Sequence, residues 1–157
     1  MVDVGSVDVG DVAPDFVLKD QDRQEVRLSD LRGRKAVVLH FYPFSYSEIC
    51  SGELCALRDD LGAVDDPDVQ TLAVSVDSMQ VHKAWAEEQG FAFPLLADYW
   101  PHGEVARRYG VLHEEAGAAL RATFVIDKAG VVVHKVVSGL GEARDHDGVR
   151  AAVASLG

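Results

Sequence analysis

Cys50 and Cys55 are the two cysteines of this 157-residue chain, and their sulfur atoms could support redox chemistry. A cysteine reacts as the thiolate, which the helix dipole favours in the first turn of a helix. An apolar run typical of a buried strand extends to Tyr42, and Pro43 interrupts it before helical spacing begins near Ser47. Functional groups of open α/β sheets gather at the carboxyl ends of such strands. The position of Cys50 therefore indicates a reactive thiol, although a small buried apolar residue would show the same pattern.

Strands and helices are predicted to alternate along the chain. The predicted elements are a hairpin at 17–28, a turn at 29–33, a strand at 35–42, a helix from 47 that Gly62 and Pro67 close, a strand at 69–76, a helix at 79–89, a strand at 93–97, a helix at 104–109, a hairpin of strands 122–126 and 131–137, and a helix at 147–156. This order predicts an α/β fold with a mixed central sheet flanked by helices. We expect one domain over residues 1–157, with residues 1–10 as a loosely held lead-in.

The composition argues against several classes of partner. The chain has 15 Lys and Arg against 26 Asp and Glu, a formal charge of −11, which opposes binding to nucleic acid or to an anionic membrane. No secretory signal and no membrane-spanning apolar run is recognisable, so we expect a cytoplasmic protein. The six histidines lack the three- or four-residue spacing of a helical zinc motif, and no glycine-rich phosphate loop occurs. We therefore expect no metal and no bound cofactor.

The segment from Pro43 to Cys50 fits the pattern Pro-x-x-x-(Thr/Ser)-x-x-Cys. With this motif the sequence resembles the peroxiredoxins, which are thiol-dependent peroxidases, and in particular their alkyl hydroperoxide reductase E branch. Further segments that resemble the family follow in the same order along nearly the whole chain: 12–18 with Ala-Pro-Asp-Phe, 51–54, 58–59, 93–103, 109–111 and 121–127. The resemblance implies a thioredoxin-like fold with an N-terminal β-hairpin extension.

The resemblance also implies roles for individual residues. Cys50 would be the peroxidatic nucleophile, which attacks a peroxide oxygen as the thiolate. Pro43 would shield the thiolate from water, and the Ser47 hydroxyl would hydrogen-bond the thiolate or the peroxide. Arg121 would supply a fixed positive charge and paired donors. Glu53, three residues after Cys50 and so on the same helix face, would orient that arginine.

Each of these helper residues also has an ordinary structural explanation. Ser47 could be a helix N-cap, Glu53 a solvated carboxylate, Arg121 a strand-edge charge and Pro43 a strand terminator. The rival functions are a thiol-disulfide oxidoreductase or redox sensor, and a binding module with an inert cysteine. Against the first rival, the chain has no Cys-x-x-Cys motif and no proline near Thr123.

The spacing of Cys50 and Cys55 resembles the peroxiredoxin Q branch, in which the second cysteine resolves the sulfenic acid as an intramolecular disulfide. Five residues along an α-helix place the two Cα atoms about 8.7 Å apart. A disulfide needs roughly 4.4–6.8 Å, so the helix would have to unwind, which Gly52 would ease. The alternative is that Cys55 is a bystander and an external thiol resolves Cys50.

The resemblance implies partners as well. The substrate would be hydrogen peroxide or an organic hydroperoxide, and the reductant a thioredoxin-like or mycoredoxin-like protein. The family resemblance further implies a homodimer.

Overall fold

The computed structural model describes residues 7–56, 68–142 and 144–156. The strands are β1 (Val17–Lys19), β2 (Glu25–Arg27), β3 (Ala36–Phe41), β4 (Val69–Ser75), β5 (Leu95–Ala97), β6 (Leu112–His113), β7 (Ala118–Ala119), β8 (Arg121–Ile126) and β9 (Val132–Ser138). The helices are α1 (Glu48–Ala56), α2 (Met79–Gln89), α3 (Glu104–Arg108) and α4 (His146–Ser155), and a 3-10 turn spans Leu28–Asp30. Within these three ranges, no helix is long and apolar enough to cross a membrane.

Five strands form the central mixed sheet in the order β5-β4-β3-β8-β9. The first three are parallel to one another, whereas β8 is antiparallel to β3 and β9 is antiparallel to β8. All six residues of the middle strand β3 are buried, which explains its continuous apolar run. The predicted mixed α/β sheet is confirmed, and so is the N-terminal hairpin, in which β1 pairs with β2.

Successive residues of β3 pack on opposite faces of the sheet. Val37, Leu39 and Phe41 belong to one hydrophobic cluster. Tyr42, just beyond the strand, belongs to a second cluster together with Leu54 of α1. Neither Tyr42 nor Leu54 has exposed surface, so their packing anchors α1 directly beyond the carboxyl end of β3.

Helix α2 follows the neighbouring strand β4 and has clear signals at both ends. Ser78 caps its N-terminus, since the Ser78 hydroxyl accepts a hydrogen bond from the Val81 N–H at 3.3 Å. Gly90 ends it in the left-handed conformation at φ 71°, which glycine adopts without steric cost. The predicted helix at 79–89 is therefore confirmed, and Asp77 lies in the short connection between β4 and α2.

The small hairpin of β6 and β7 is absent from the sequence-based prediction. Its strands have two residues each, too short for an alternating pattern to be recognised. Most other boundaries differ from prediction by one or two residues, as is usual for frayed ends. The predicted closing residues of the first helix, Gly62 and Pro67, lie outside the described residues.

The described part of the N-terminal lead-in contacts β9. Val7 is only 5% exposed, and the Gly10 N–H donates to the Val132 carbonyl at 2.8 Å. Lys135 Nζ lies 3.2 Å from Asp8 Oδ1. Residues 8 and 10 thus contact β9 in the structure, and residues 1–6 lie outside the described part of the chain, so the loose lead-in stays a prediction.

Candidate active site

The loop between β3 and α1 places Cys50 where the sequence predicted it. Strand β3 ends at Phe41 and α1 begins at Glu48, so Cys50 is the third residue of the helix. Its backbone therefore lies in the first helical turn, at the carboxyl end of the middle strand of the sheet. The unpaired N–H groups and the dipole of such a turn favour a negative charge on sulfur.

The loop that leads to this helix contains Pro43 and Ser47. Pro43 is buried. The Ser47 hydroxyl donates to the Phe44 carbonyl at 3.0 Å. A hydroxyl has one proton to donate, so the role predicted for Ser47 requires its hydroxyl to turn from Phe44 toward the thiolate or the peroxide.

Arg121 and Glu53 meet in a buried ion pair beside α1. Arg121 is the first residue of β8, next to Ala122, which pairs with Phe41 at the end of β3. Arg121 Nη1 donates to Glu53 Oε1 at 2.9 Å, and Arg121 Nε donates to the Leu140 carbonyl at 2.8 Å. Arg121 is 3% exposed and Glu53 4%, so the alternatives of a strand-edge charge and a solvated carboxylate are both wrong.

A second arginine, Arg144, completes this cluster and was missed by the sequence analysis. Its Nε and its backbone N–H each donate to Glu53 Oε2 at 2.9 Å, and its Nη2 donates to Glu53 Oε1 at 3.1 Å. Its Nη1 donates to the Ala122 carbonyl at 2.8 Å. Arg144 lies in an irregular segment before α4, where neither periodicity nor a motif predicts a functional role. Its contact with Glu53, which is 91 positions away in the chain, is visible only in the structure.

Arg121 and Arg144 keep Glu53 in its charged form. Burial alone raises the pKa of Glu53, but the hydrogen bonds and charges of Arg144, together with the hydrogen bond from Arg121, outweigh burial and lower it. Glu53 is therefore ionised at neutral pH, and two guanidinium groups face one carboxylate. Both guanidinium groups lie beside α1, where a positive charge favours an anion.

Cys55 lies on a different side of α1. Its thiol donates weakly to Gln89 Oε1 of α2 at a distance of 3.6 Å, and its half-buried side chain packs against the cluster that contains Trp85. Helix α1 runs without interruption from Glu48 to Ala56, so Cys50 and Cys55 have the helical spacing that a disulfide cannot bridge. Cys55 is a free thiol in this structure.

Over the described ranges, no group of three or more His, Cys, Asp or Glu side chains could hold a metal ion. The arrangement instead combines a cysteine in a helix first turn with buried guanidinium donors, which suits attack by a thiolate on a substrate that develops negative charge.

Comparisons with known proteins agree with this chemistry. The chain matches the AhpC/TSA family over residues 9–135. It is 48% identical over 139 residues to alkyl hydroperoxide reductase E of Mycobacterium tuberculosis, with 88% of this chain and 91% of that protein covered. It is 36% identical over 149 residues to the chloroplastic 2-Cys peroxiredoxin BAS1 of Spinacia oleracea, covering 88% of this chain and 56% of that one.

Solved structures show the same fold. The peroxidoxin BcpB of Mycobacterium tuberculosis superposes with a TM-score of 0.80 and 32% identity, covering 96% of both chains. The reduced 2-Cys peroxiredoxin of Plasmodium vivax superposes with a TM-score of 0.81 and 31% identity, covering 94% of this chain and 81% of that one. These matches confirm the thioredoxin-like fold. This chain belongs to the AhpC/TSA family of peroxiredoxins, the thiol-dependent peroxidases.

Proposed function

We propose that Cys50 is the nucleophile by which this chain reduces hydrogen peroxide and organic hydroperoxides. The Cys50 thiolate attacks one oxygen of the O–O bond; an S–O bond forms as the O–O bond breaks. The leaving oxygen departs as hydroxide or alkoxide and takes up a proton, and the cysteine is oxidised to sulfenic acid. The observation that carries this proposal is the buried Glu53–Arg121–Arg144 cluster beside the first turn that contains Cys50.

Thiolate formation alone does not make a dedicated peroxidase. A free cysteine with a pKa of ~8.5 is about 3% thiolate at pH 7, and lowering that pKa to ~6 raises the thiolate to about 90%. Part of this roughly 30-fold gain is lost because nucleophilicity falls with pKa. The remaining acceleration must come from donors that stabilise the oxygen charge of the transition state, each worth roughly 10²–10³ in comparable oxyanion sites.

The helper residues supply those donors and their environment in this proposal. The guanidinium of Arg121 donates to the peroxide oxygens, and Glu53 holds it in place. Buried Pro43 keeps water from the thiolate, and Ser47 donates after its hydroxyl turns from Phe44. The fixed ion pair supports this assignment, because a preorganised donor needs no reorganisation when the reaction occurs.

We further propose that Cys55 resolves the sulfenic acid. The Cys55 thiol attacks the Cys50 sulfur, an S–S bond forms, and the hydroxyl leaves as water. Because α1 is continuous between the two cysteines, it has to unwind before their sulfur atoms can meet. Gly52 supports this step, because it is exposed in the middle of α1 and lacks a side chain to hold the helix.

The catalytic cycle also needs an electron donor. We propose an external thioredoxin-like or mycoredoxin-like protein, whose dithiol reduces the disulfide. The chain would act in the cytoplasm as a homodimer of one domain over residues 1–157. Sedimentation of the reduced protein at micromolar concentration checks the dimer.

Intact mass after one equivalent of hydrogen peroxide, for wild type and Cys55→Ser, tests the chemistry. A loss of about 2 Da in wild type and a gain of about 16 or 32 Da in Cys55→Ser are expected. Oxygen adducts in both proteins would instead assign the resolving step to an external thiol. Full peroxide consumption by Cys50→Ser would overturn the proposed function.

A further inference from the structure

The loop that carries Pro43 and Ser47 is tied to the end of the neighbouring strand β4 by Asp77. Asp77 Oδ2 accepts the Ser45 backbone N–H at 2.7 Å, a contact across 32 residues. The Ser45 hydroxyl in turn forms a buried hydrogen bond with the Tyr42 hydroxyl at 3.0 Å. Ser45 is therefore fixed at both its backbone and its side chain.

This loop needs such an attachment because its backbone is strained. Tyr46 adopts φ 69°, a left-handed conformation that aromatic residues rarely take. Its ring contacts Trp85 with centroids 5.8 Å apart but is still half exposed. The Tyr46 hydroxyl also hydrogen-bonds Glu88, and the charge-assisted bond from the Ser45 N–H to Asp77 adds a restraint on the backbone one residue earlier.

The Asp77 carboxylate is itself held by a second layer of residues. The Ser75 hydroxyl donates to Asp77 Oδ2 at 2.7 Å. Having donated its one proton, that hydroxyl accepts from His82 Nε2, which lies 2.7 Å away. Burial lowers the pKa of His82 to about 4, and the Asp77 charge opposes that shift only in part. A hydrogen bond with the Leu95 backbone opposes it as well, yet burial prevails, so His82 is neutral at physiological pH.

We propose that Asp77 is a positioning residue for the peroxidase reaction. By holding the Ser45 N–H, it sets where the loop presents Pro43 and Ser47 relative to Cys50. The inference rests on the proposed function, since it concerns the loop of the same site. Misplacing a catalytic group by about 1 Å can cost roughly 10²-fold in rate, so a loop anchor remote from the sulfur has a measurable effect.

Asp77→Ala and Asp77→Asn test this proposal, with Asp127→Ala as the matched control. Asp127 also accepts backbone N–H groups, those of Ala129 and Val131 at 3.0 Å, but in the β8–β9 turn at the other end of the sheet. Two rate constants are measured for each variant: reaction with hydrogen peroxide, and alkylation of Cys50 by iodoacetamide in a Cys55→Ser background.

We expect Asp77→Ala to lower the peroxide rate constant about 10- to 100-fold and alkylation by much less. The reason is that loop donors act on the peroxide, whereas alkylation needs only an accessible thiolate. Asp77→Asn should regain part of the loss, because its amide oxygen accepts the Ser45 N–H without charge. Hydrogen exchange over residues 42–47 should rise in Asp77→Ala and stay unchanged in Asp127→Ala.

A folded Asp77→Ala protein with the wild-type peroxide rate would overturn the inference. Equal losses in the peroxide and alkylation reactions would also overturn it, because they indicate a general disturbance of Cys50. If Asp77→Ala does not fold, the same two rate constants are measured for Asp77→Asn. A lower rate constant with peroxide but not with iodoacetamide supports the positioning role, and a wild-type rate constant with peroxide refutes it. Cys50→Ser separates the two proposals, since its retained activity would refute the peroxidase itself.

Discussion

Arg121 Nη1 lies 2.9 Å from Glu53 Oε1, although the two residues are 68 positions apart in the chain. Both are almost fully buried, and Arg144 binds the second carboxylate oxygen. A buried charge is tolerated only when partners satisfy it, so the three side chains form one unit. That unit fixes a guanidinium next to the helix that carries Cys50.

Glu53→Gln should destabilise the protein by about 3–5 kcal/mol at neutral pH, because it removes the carboxylate that two buried guanidinium groups bind. Urea unfolding followed by circular dichroism measures the free energy of unfolding. Glu115→Gln is the control, because Glu115 is exposed, and it should stay within about 0.5 kcal/mol of wild type. Equal stability of Glu53→Gln and wild type would show that the cluster does not depend on the charge.

The advantage of wild type over Glu53→Gln should depend on pH. The arginines lower the pKa of Glu53 in the fold, so its stabilising contribution is present above the unfolded pKa and is lost as pH falls through the lowered folded value. The difference in unfolding free energy between the two proteins should therefore be constant from pH 6 to 8 and shrink below about pH 4. A difference that grows in acid would contradict this sign.

Arg121→Lys should lower the peroxide rate constant by roughly 10²–10³ while the protein stays folded, because lysine keeps the charge but loses the planar pair of donors. Stopped-flow kinetics with hydrogen peroxide measures the effect. Arg107→Lys is the control, since Arg107 also binds a carboxylate, with Nη2 3.1 Å from Glu114 Oε1, but on the surface. An unchanged rate in Arg121→Lys would remove Arg121 from the catalytic set.

Asp98→Asn should remove a pH-dependent contribution to stability. Asp98 is buried and accepts the Val105 and Ala106 N–H groups, yet burial outweighs these bonds and raises its pKa to about 6. A raised folded pKa gives stability that is present below the unfolded pKa and is lost as pH rises through about 6. Relative to Asp98→Asn, wild type should lose about 3 kcal/mol between pH 4 and 7. Parallel stability curves for the two proteins over this range would contradict the prediction.

Gly52→Ala should slow disulfide formation without slowing the first oxidation. A Cβ at Gly52 meets no heavy atom within 4 Å, and alanine stabilises a helix interior by about 0.5–1 kcal/mol over glycine. If α1 must unwind for Cys55 to reach Cys50, that stabilisation reduces the rate of disulfide formation roughly 2- to 5-fold. Time-resolved intact mass separates the sulfenic acid from the disulfide. An unchanged disulfide rate would indicate that unwinding is not required.

Local features of the chain predicted most of the elements. The apolar run of β3, the break at Pro43 and the helical spacing after it depend on neighbouring residues, so they placed Cys50 in a helix first turn. The Ser78 cap and the Gly90 stop bound α2 for the same reason. The β6–β7 hairpin escaped prediction because two-residue strands carry no period.

The sequence by itself determined the α/β order, the position of Cys50 in a helix first turn and the family motif around it, because backbone propensities and short-range spacing act within a few residues. The tertiary structure alone added Arg144 and showed how Glu53 and the two arginines meet beside that helix. Glu53 meets Arg144 across 91 residues and Asp77 meets Ser45 across 32, and no local pattern records such contacts. Packing brings these groups together and removes water, and burial with a partner then sets the ionisation of Glu53 and holds the loop around Ser45.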